Sequence, residues 1–549
     1  MNSENLLHTP EGVRDLYGEE YDRKSKAENA VFEVLTNEGY KKIQTPTLEF
    51  SDVFSSSIGT TPSNELYRFY DNEGNNIVLR PDFTPAIARC AAKYFMDEKS
   101  PLRLCYSGST FSNTKSLRGK LREVTQMGAE LICDPTVEAD GEIIALSIKV
   151  LRSAGLKDFK ITVGNADYYR GFCREADLST YTEHKLRDYI SQKNIYAAAN
   201  FLKEQNVSDI DRLIHITGFF GNSEVLEKAL EFANNETSKN AVLNLIKLDK
   251  VLNSLGVGEY ITYDLSMLSK YDYYTGVIFR AYTYGVGEPL VKGGRYDNLL
   301  SYFGKDAPAI GFCVITDDLI QALNHQDDLK KSANDRYLTF ALGKGRLASK
   351  AMELLEKMGI TCEEMKDKDT RKLIFTNEEL KLKFFLAKGP DVPTYVEYGA
   401  ADIGVVGKDT ILEEDRDVFE VLDLDFGKCR MCVCGPESAR ELLLHKDRIR
   451  VATKYPKIAK DYFYNVKHQT VDIIKLNGSV ELGPIVELSD VIVDIVETGS
   501  TLRENGLSVL EEITPLSARM IVNPVSMQMD SIKIKDIIQK LKVLCEEQQ

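Results

Sequence analysis

The chain has 549 residues, several times what a single hydrophobic core supports, so it is expected to divide into domains. Its 43% hydrophobic and 28% charged residues are those of an ordinary globular protein rather than a disordered or fibrous one. A formal net charge of −15 argues against a surface dominated by nucleic-acid binding, and no apolar run reaches the roughly 18 residues that a membrane span needs.

The opening stretch "MNSENLLHTPEGVRDL" lacks a basic segment followed by an apolar core, so no secretory leader and a cytoplasmic location are expected. Helical patterns such as "EEYDRKSKAENAVFEVLTNEGY" and "EADGEIIALSIKVLRSAG" then alternate with β-rich runs such as "FKITVGN" and "TGVIFRAYTYG". Residues 323–336, "LNHQDDLKKSANDR", are polar and read as a boundary. The expected division is therefore residues 1–323, a linker at 324–335, and 336–549. Beyond the linker, strand and helix patterns alternate in "RYLTFALGKGRLASKAMELLEKMGI", "ADIGVVGKDTILEE", "RIRVATKYPKIAKDYFYN" and "VIVDIVETGSTLRENGL". That is the pattern of an open α/β unit whose ligands bind past the strand ends. Ten scattered cysteines suggest reduced thiols, and Cys429, Cys432 and Cys434 read as a buried strand because no second Cys/His pair follows to complete a zinc site.

Upstream, "TPEGVRDLYGEE", "LRPDFTPAIAR", "LREVTQMGAELI", "YDYYTGVIF", "GGRYDNLL" and "AIGFCVITDDL" succeed one another. Together they resemble the class II catalytic core of histidyl-tRNA synthetases. The resemblance implies a pocket for free histidine, with Asp82, Thr84 and Gln126 at the α-amino group and Glu130, Tyr273 and Tyr274 at the imidazole. An acid and a phenol suit a ring that donates at one nitrogen and accepts or donates at the other. Asp82 stands where the synthetases carry Glu. Adenylation also needs cations against ATP phosphates. Ser112 stands at the family's motif 2 arginine, Asp318 at its motif 3 arginine, and Ser269 at the arginine before the tyrosine signature. Histidine binding without activation is expected. The anticodon-binding domain is replaced downstream, as in the synthetase-like regulatory subunits of short-form ATP phosphoribosyltransferases.

Downstream, a strand ends in Glu497, Thr498, Gly499, Ser500 and Thr501 before a helical pattern. A glycine and small hydroxyl residues at a helix start leave N–H groups free for a phosphate, although a simple capped helix has the same appearance. Asp494 and Glu497 would repel a bare phosphate but suit a ribose diol or Mg²⁺. "DIVETGSTLRENGL", preceded in order by "ALGKGRL", "DVPTYVEYGAADIGVVGKD", "RVATKYP" and "NGSVELGP", resembles ATP phosphoribosyltransferase. The resemblance implies a two-lobed, type II periplasmic-binding-protein-like fold in which ATP meets phosphoribosyl pyrophosphate (PRPP). It places PRPP at Asp494, Glu497, Thr498, Gly499, Ser500 and Thr501. It places ATP at Lys344, Gly345, Arg346, Asp402 and Gly404, with Lys344, Arg346 and Asp494 as the catalytic group. Asp409 and Asp402 have plainer readings as a helix cap and a turn residue. Mg²⁺ is expected to arrive mainly with the substrates, and the short C-terminal stretch after the loop implies the form that relies on a regulatory subunit.

The expected fold class is therefore α/β and α+β multidomain, a class II synthetase-like core followed by a two-lobed α/β catalytic unit. The expected function is a histidine-inhibited ATP phosphoribosyltransferase, homo-oligomeric and without a nucleic-acid or membrane partner. The alternatives are an aminoacylating histidyl-tRNA synthetase with an appended domain and a non-catalytic small-molecule sensor.

Overall fold

Two units, Met1–Asn334 and Asp335–Gln549, divide the chain in a computed structural model that describes all residues except 1–6, 56–60, 117, 269–272, 333–335, 367–371, 446–447 and 548–549. The first is organised by a nine-stranded sheet. Six strands form its centre: Leu102–Phe111 (β1), Glu123–Ile132 (β2), Lys160–Asn165 (β3), Val277–Tyr282 (β4), Val291–Arg295 (β5) and Ala309–Ile315 (β6). They lie in the order β1, β2, β6, β5, β4, β3 and are antiparallel at every joint.

Period-two alternation gives this sheet two different faces. In β2, "EVTQMGAELI", the side chains of Met127, Ala129 and Leu131 are fully buried in a cluster shared with the helices Val137–Ser153 and Glu236–Ser254. Gln126, Gly128 and Glu130 occupy the opposite face. Thr136 caps the first of those helices, its Oγ1 accepting from the Ala139 N–H at 3.2 Å. Glu138 and Asp140 lie in the first turn, where the helix dipole favours acids.

That helix is fastened to the sheet by a buried ion pair. Arg295, at the end of β5, donates through Nε at 2.8 Å and Nη2 at 2.6 Å to Asp140 Oδ1. Its Nη1 reaches Asp297 Oδ1 at 3.1 Å and the Asp134 carbonyl at 3.0 Å. The clamp fixes the point at which Tyr296 leaves the strand. The polar run assigned to a linker is helical as far as Ser332, in the helix Thr316–Ser332. Its polar side chains bind the first unit: Gln326 accepts from the Lys157 N–H at 2.8 Å and donates to the Gly155 carbonyl at 3.0 Å. Polarity there reflects an exposed helix face rather than an extended connection.

The second unit holds a six-stranded and a five-stranded sheet, each with its own core. Leu338–Gly343 (β7) and Ile403–Gly407 (β8) run parallel in the first. Cys429–Gly435 (β9) in the second is antiparallel to Val491–Val496 (β11), which is parallel to Ile449–Thr453 (β10). The chain crosses to the second sheet after Phe419–Asp423 and returns through Ser508–Leu516 to Ala518–Val522. Among the described residues no helix is long and apolar enough to cross a membrane.

Replacing Arg295 by Met keeps its apolar stem but leaves the Asp140 carboxylate without its counter-ion. Arg295→Met is expected to cost about 3 kcal/mol or more, read as a lowered denaturant midpoint of the full chain. An unchanged midpoint would contradict the clamp.

Candidate functional site

The first candidate site lies on the face of the nine-stranded sheet that carries Glu130. Strand register places residues in rows: Glu130 of β2 faces Gly311 of β6, which faces Gly294 of β5. One pleat away, Tyr106 of β1 faces Gly128 of β2, then Cys313 of β6, then Lys292 of β5. The glycines make the floor. A Cβ on Gly311 would stand 1.6 Å from Glu130 Oε2, and one on Gly294 would stand 2.7 Å from the Tyr274 ring.

Glu130 is almost fully buried. The Tyr296 hydroxyl donates to its Oε2 at 2.5 Å and the Thr84 hydroxyl to its Oε1 at 3.0 Å. Burial nevertheless dominates and pushes this carboxyl up to about 8. Tyr273 and Tyr274 lie beside it with their rings tilted by 41° and centroids 4.6 Å apart, and the Tyr273 ring meets Tyr296 edge-on at 6.1 Å. Asp82 precedes the helix Thr84–Tyr94 and accepts from the Phe83 N–H at 2.7 Å. Burial raises its carboxyl too, against the pull of that N–H. The Gln126 carbonyl oxygen is buried without a hydrogen-bond partner.

Gln126 and Glu130 thus share one face of β2, and Tyr274, beside Tyr273, lies in the fields of Asp82 and Glu130. Thr84, expected at an ammonium group, donates its hydroxyl proton to Glu130 and keeps its oxygen lone pairs to accept. Tyr271, Asp272 and Ser269 lie outside the described residues. The Ser112 N–H donates to the Arg122 carbonyl at 2.9 Å. Asp318 lies in a mixed cluster in which Glu288 binds Lys120 at 2.7 Å and Lys292 at 3.4 Å. Burial and the neighbouring Glu288 push the Asp318 carboxyl up to about 6. Two acids here balance two lysines, so the cluster carries no excess of positive charge.

The second candidate site gathers strand ends of the second unit. β7 ends in a turn through Lys344 and Gly345, the latter at φ +104°, into the helix Arg346–Lys357. β11 ends in Glu497 and Thr498, then Gly499 at φ +70°, before a short helix from Ser500. That left-handed backbone favours glycine. The Ser500 N–H bonds Thr498 Oγ1 at 3.4 Å, and the two hydroxyls lie 3.1 Å apart. The two turns meet: Arg346 Nη2 is 3.6 Å from Glu497 Oε2, both side chains exposed. Asp494 is partly buried, and burial, with a contribution from Glu481, pushes it up to about 6. Asp409, just past β8, is raised by burial as well.

Sequence reasoning did not single out Lys454, directly after β10, whose charge acts on both Asp409 and Asp494. Nor did it find Tyr455, whose buried hydroxyl lies within reach of both acids' fields. A lysine after a strand has no local pattern that marks it. Two of the residues expected at ATP have structural contacts of their own. Asp402 immediately precedes β8, and six steps of about 3.3 Å along an extended chain place it roughly 20 Å from Lys408 past the strand's far end. There it accepts from Arg336 at 2.6 Å, Ser526 at 2.5 Å and the Thr339 N–H at 2.7 Å, which makes it a structural tie. Gly404 is packed within β8, where a Cβ would lie 2.8 Å from Val396 and 2.9 Å from Ile521. Among the described residues no group of three or more His, Cys, Asp or Glu is arranged to hold a metal.

Residues 12–319 match the family model for histidyl-tRNA synthetase, and residues 388–543 match that for ATP phosphoribosyltransferase. An ATP phosphoribosyltransferase of Lachnoclostridium phytofermentans is 72% identical over 214 residues, 39% of this chain and 100% of that protein. An ATP phosphoribosyltransferase regulatory subunit of Clostridium kluyveri is 36% identical over 337 residues, 61% of this chain and 86% of that protein. A solved structure from Bacillus halodurans, described as an ATP phosphoribosyltransferase regulatory subunit/histidyl-tRNA synthetase, is 32% identical with a TM-score of 0.55. It covers 70% of this chain and 99% of its own.

The buried Glu130 carboxyl gives a pH signature independent of any ligand. Its folded value of about 8 exceeds the ordinary 4.5, so its contribution to stability is fully present below about pH 4.5 and is lost as pH rises through 8. Glu130→Gln cannot ionise. The ligand-free variant is therefore expected to gain stability relative to the parent as pH rises from about 5 to about 8. Denaturant midpoints that change in parallel across that range would contradict the assignment.

Proposed function

The chain belongs to the ATP phosphoribosyltransferase family, with a histidyl-tRNA-synthetase-like regulatory region and a short-form catalytic domain on one polypeptide, and we propose that histidine held by the first unit inhibits catalysis by the second. The reaction joins N1 of the ATP adenine to the anomeric carbon of PRPP and releases pyrophosphate, giving phosphoribosyl-ATP, the first step of histidine biosynthesis. The observation that carries the catalytic reading is the meeting of the Lys344–Arg346 turn with the Glu497–Thr501 loop.

The N–H groups and hydroxyls of Thr498, Gly499, Ser500 and Thr501 hold the 5-phosphate of PRPP, aided by the helix start. Asp494, once ionised, accepts from the ribose hydroxyls, and Glu497 orients Arg346. In the transition state positive charge develops on the ribose while negative charge gathers on the departing pyrophosphate. Lys344, Arg346 and Lys454 face that anion, and the Asp494 carboxylate faces the cationic ring. One or two carboxylates beside substrate phosphates suit Mg²⁺, so Asp494 and Asp409 are the groups that would touch an ion carried by PRPP. That ion would screen the pyrophosphate charge.

In the first unit, Asp82 and the unpartnered Gln126 oxygen accept from the histidine ammonium, and Glu130 and Tyr274 address the imidazole. Asp318 in its mixed cluster and the uncharged Ser112 stand where the family's two motif arginines would meet ATP phosphates, which supports detection of histidine rather than its activation. Linkage on one chain fixes one regulatory unit per catalytic unit. Association of such class II cores into a homo-oligomer is part of the same proposal.

The test is pyrophosphate release and adenine alkylation with Mg²⁺, ATP and PRPP. Turnover without tRNA is expected; a requirement for histidine and tRNA would overturn the reading. Thr501→Ala is expected to raise the KM for PRPP about tenfold, the loss of one charge-assisted hydrogen bond. Asp494→Asn is expected to remove an acid limb near pH 6 from the profile of kcat/KM, because the parent carboxyl ionises only as pH rises through about 6.

A further inference from the structure

A free amino acid presents three groups, and the pocket on the nine-stranded sheet has so far been given partners for two. Asp82 and Gln126 face the ammonium, and Glu130 and Tyr274 the ring. A carboxylate taken out of water needs a cation or several N–H donors. The residue before the tyrosine signature at which the resemblance expects an arginine is the uncharged Ser269.

The sheet itself supplies a cation. Lys292 of β5 stands opposite Cys313 of β6 and Arg280 of β4. Residues in register share a face, so Lys292 lies on the face of Glu130 in the row that holds Gly128 and Tyr106, one pleat along and two strands across from Glu130. Its charge acts on the Asp82 carboxyl and on the Cys313 thiol, which also lies in the fields of Asp82 and Glu130. The ammonium and carboxylate of an α-amino acid leave the same carbon, so their partners must be neighbours. Lys292 shares the sheet face of Glu130 and is near enough for its charge to act on Asp82.

Lys292 is also placed to change partners. It touches Glu288 Oε2 at 3.4 Å, while Lys120 holds the other oxygen of Glu288 at 2.7 Å. Glu288 therefore keeps its closer counter-ion if Lys292 turns toward a ligand. Arg280, its register neighbour, is already engaged with the Leu268 carbonyl at 2.7 Å.

We propose that Lys292 holds the α-carboxylate of the bound amino acid and so makes this pocket select the free acid over its analogues. The inference rests on the reading of the pocket as a histidine site. The test is calorimetric titration of the full chain with L-histidine and with L-histidinol, which has an alcohol in place of the carboxylate. The parent chain is expected to prefer histidine by about tenfold or more. Lys292→Gln is expected to reduce that preference to about twofold or less, and Lys292→Arg to retain most of it. An undiminished preference in Lys292→Gln, or equal weakening of both ligands, would overturn the role of Lys292 alone. Failure of the parent chain to bind histidine would overturn the histidine reading and this proposal with it.

Discussion

A carboxyl group buried on an open sheet face sets the terms for the whole first unit. Glu130 is tolerated there because the Tyr296 and Thr84 hydroxyls satisfy it and because Gly311 leaves room beside it. Tyr296 is in turn delivered by the Arg295 clamp, which fastens β5 to the helix Val137–Ser153. The antiparallel register then decides what else can share that face: glycines where the floor must be low, and Gln126, Cys313 and Lys292 where polar groups border it. The same alternation sends Met127, Ala129 and Leu131 into the core behind, so stability and binding are divided between the two sides of one strand.

The second unit follows a different constraint. Strands of two sheets end in turns that carry cations from β7 and β10 and carboxylates from β8 and β11. Those groups act on one another although they are far apart in sequence, as the contact of Arg346 with Glu497 and the field of Lys454 on Asp409 and Asp494 demonstrate. Such an arrangement suits two polyanionic substrates whose charges must be held without being matched before reaction. Asp494, raised by burial, is kept poised near neutrality rather than fully ionised at all pH values.

Much of this was legible in the order of residues. Alternation in "EVTQMGAELI" separates the core face from the opposite face, and a glycine with small hydroxyl residues after an alternating strand marks the turn from β11 into the helix at Ser500. Position within a strand was not legible. Asp402 and Lys408 bracket β8, yet only the fold tells which end meets the other turns and which end carries the ties to Arg336, Ser526 and Thr339. The helical continuation to Ser332 was hidden because an exposed polar helix and a polar linker have similar composition. Lys454 and Lys292 escaped for a further reason: an isolated lysine on or after a strand acquires meaning only from strands that pair beside it.

The central claim is that occupancy of one unit by histidine restrains chemistry in the other, a coupling between distinct sites. The direct measurement is the rate of phosphoribosyl-ATP formation followed against histidine occupancy in the same sample of the full chain. The account predicts a rate that falls as occupancy rises, reaching its minimum at saturation. A chain fully occupied by histidine yet turning over at its unliganded rate would contradict it.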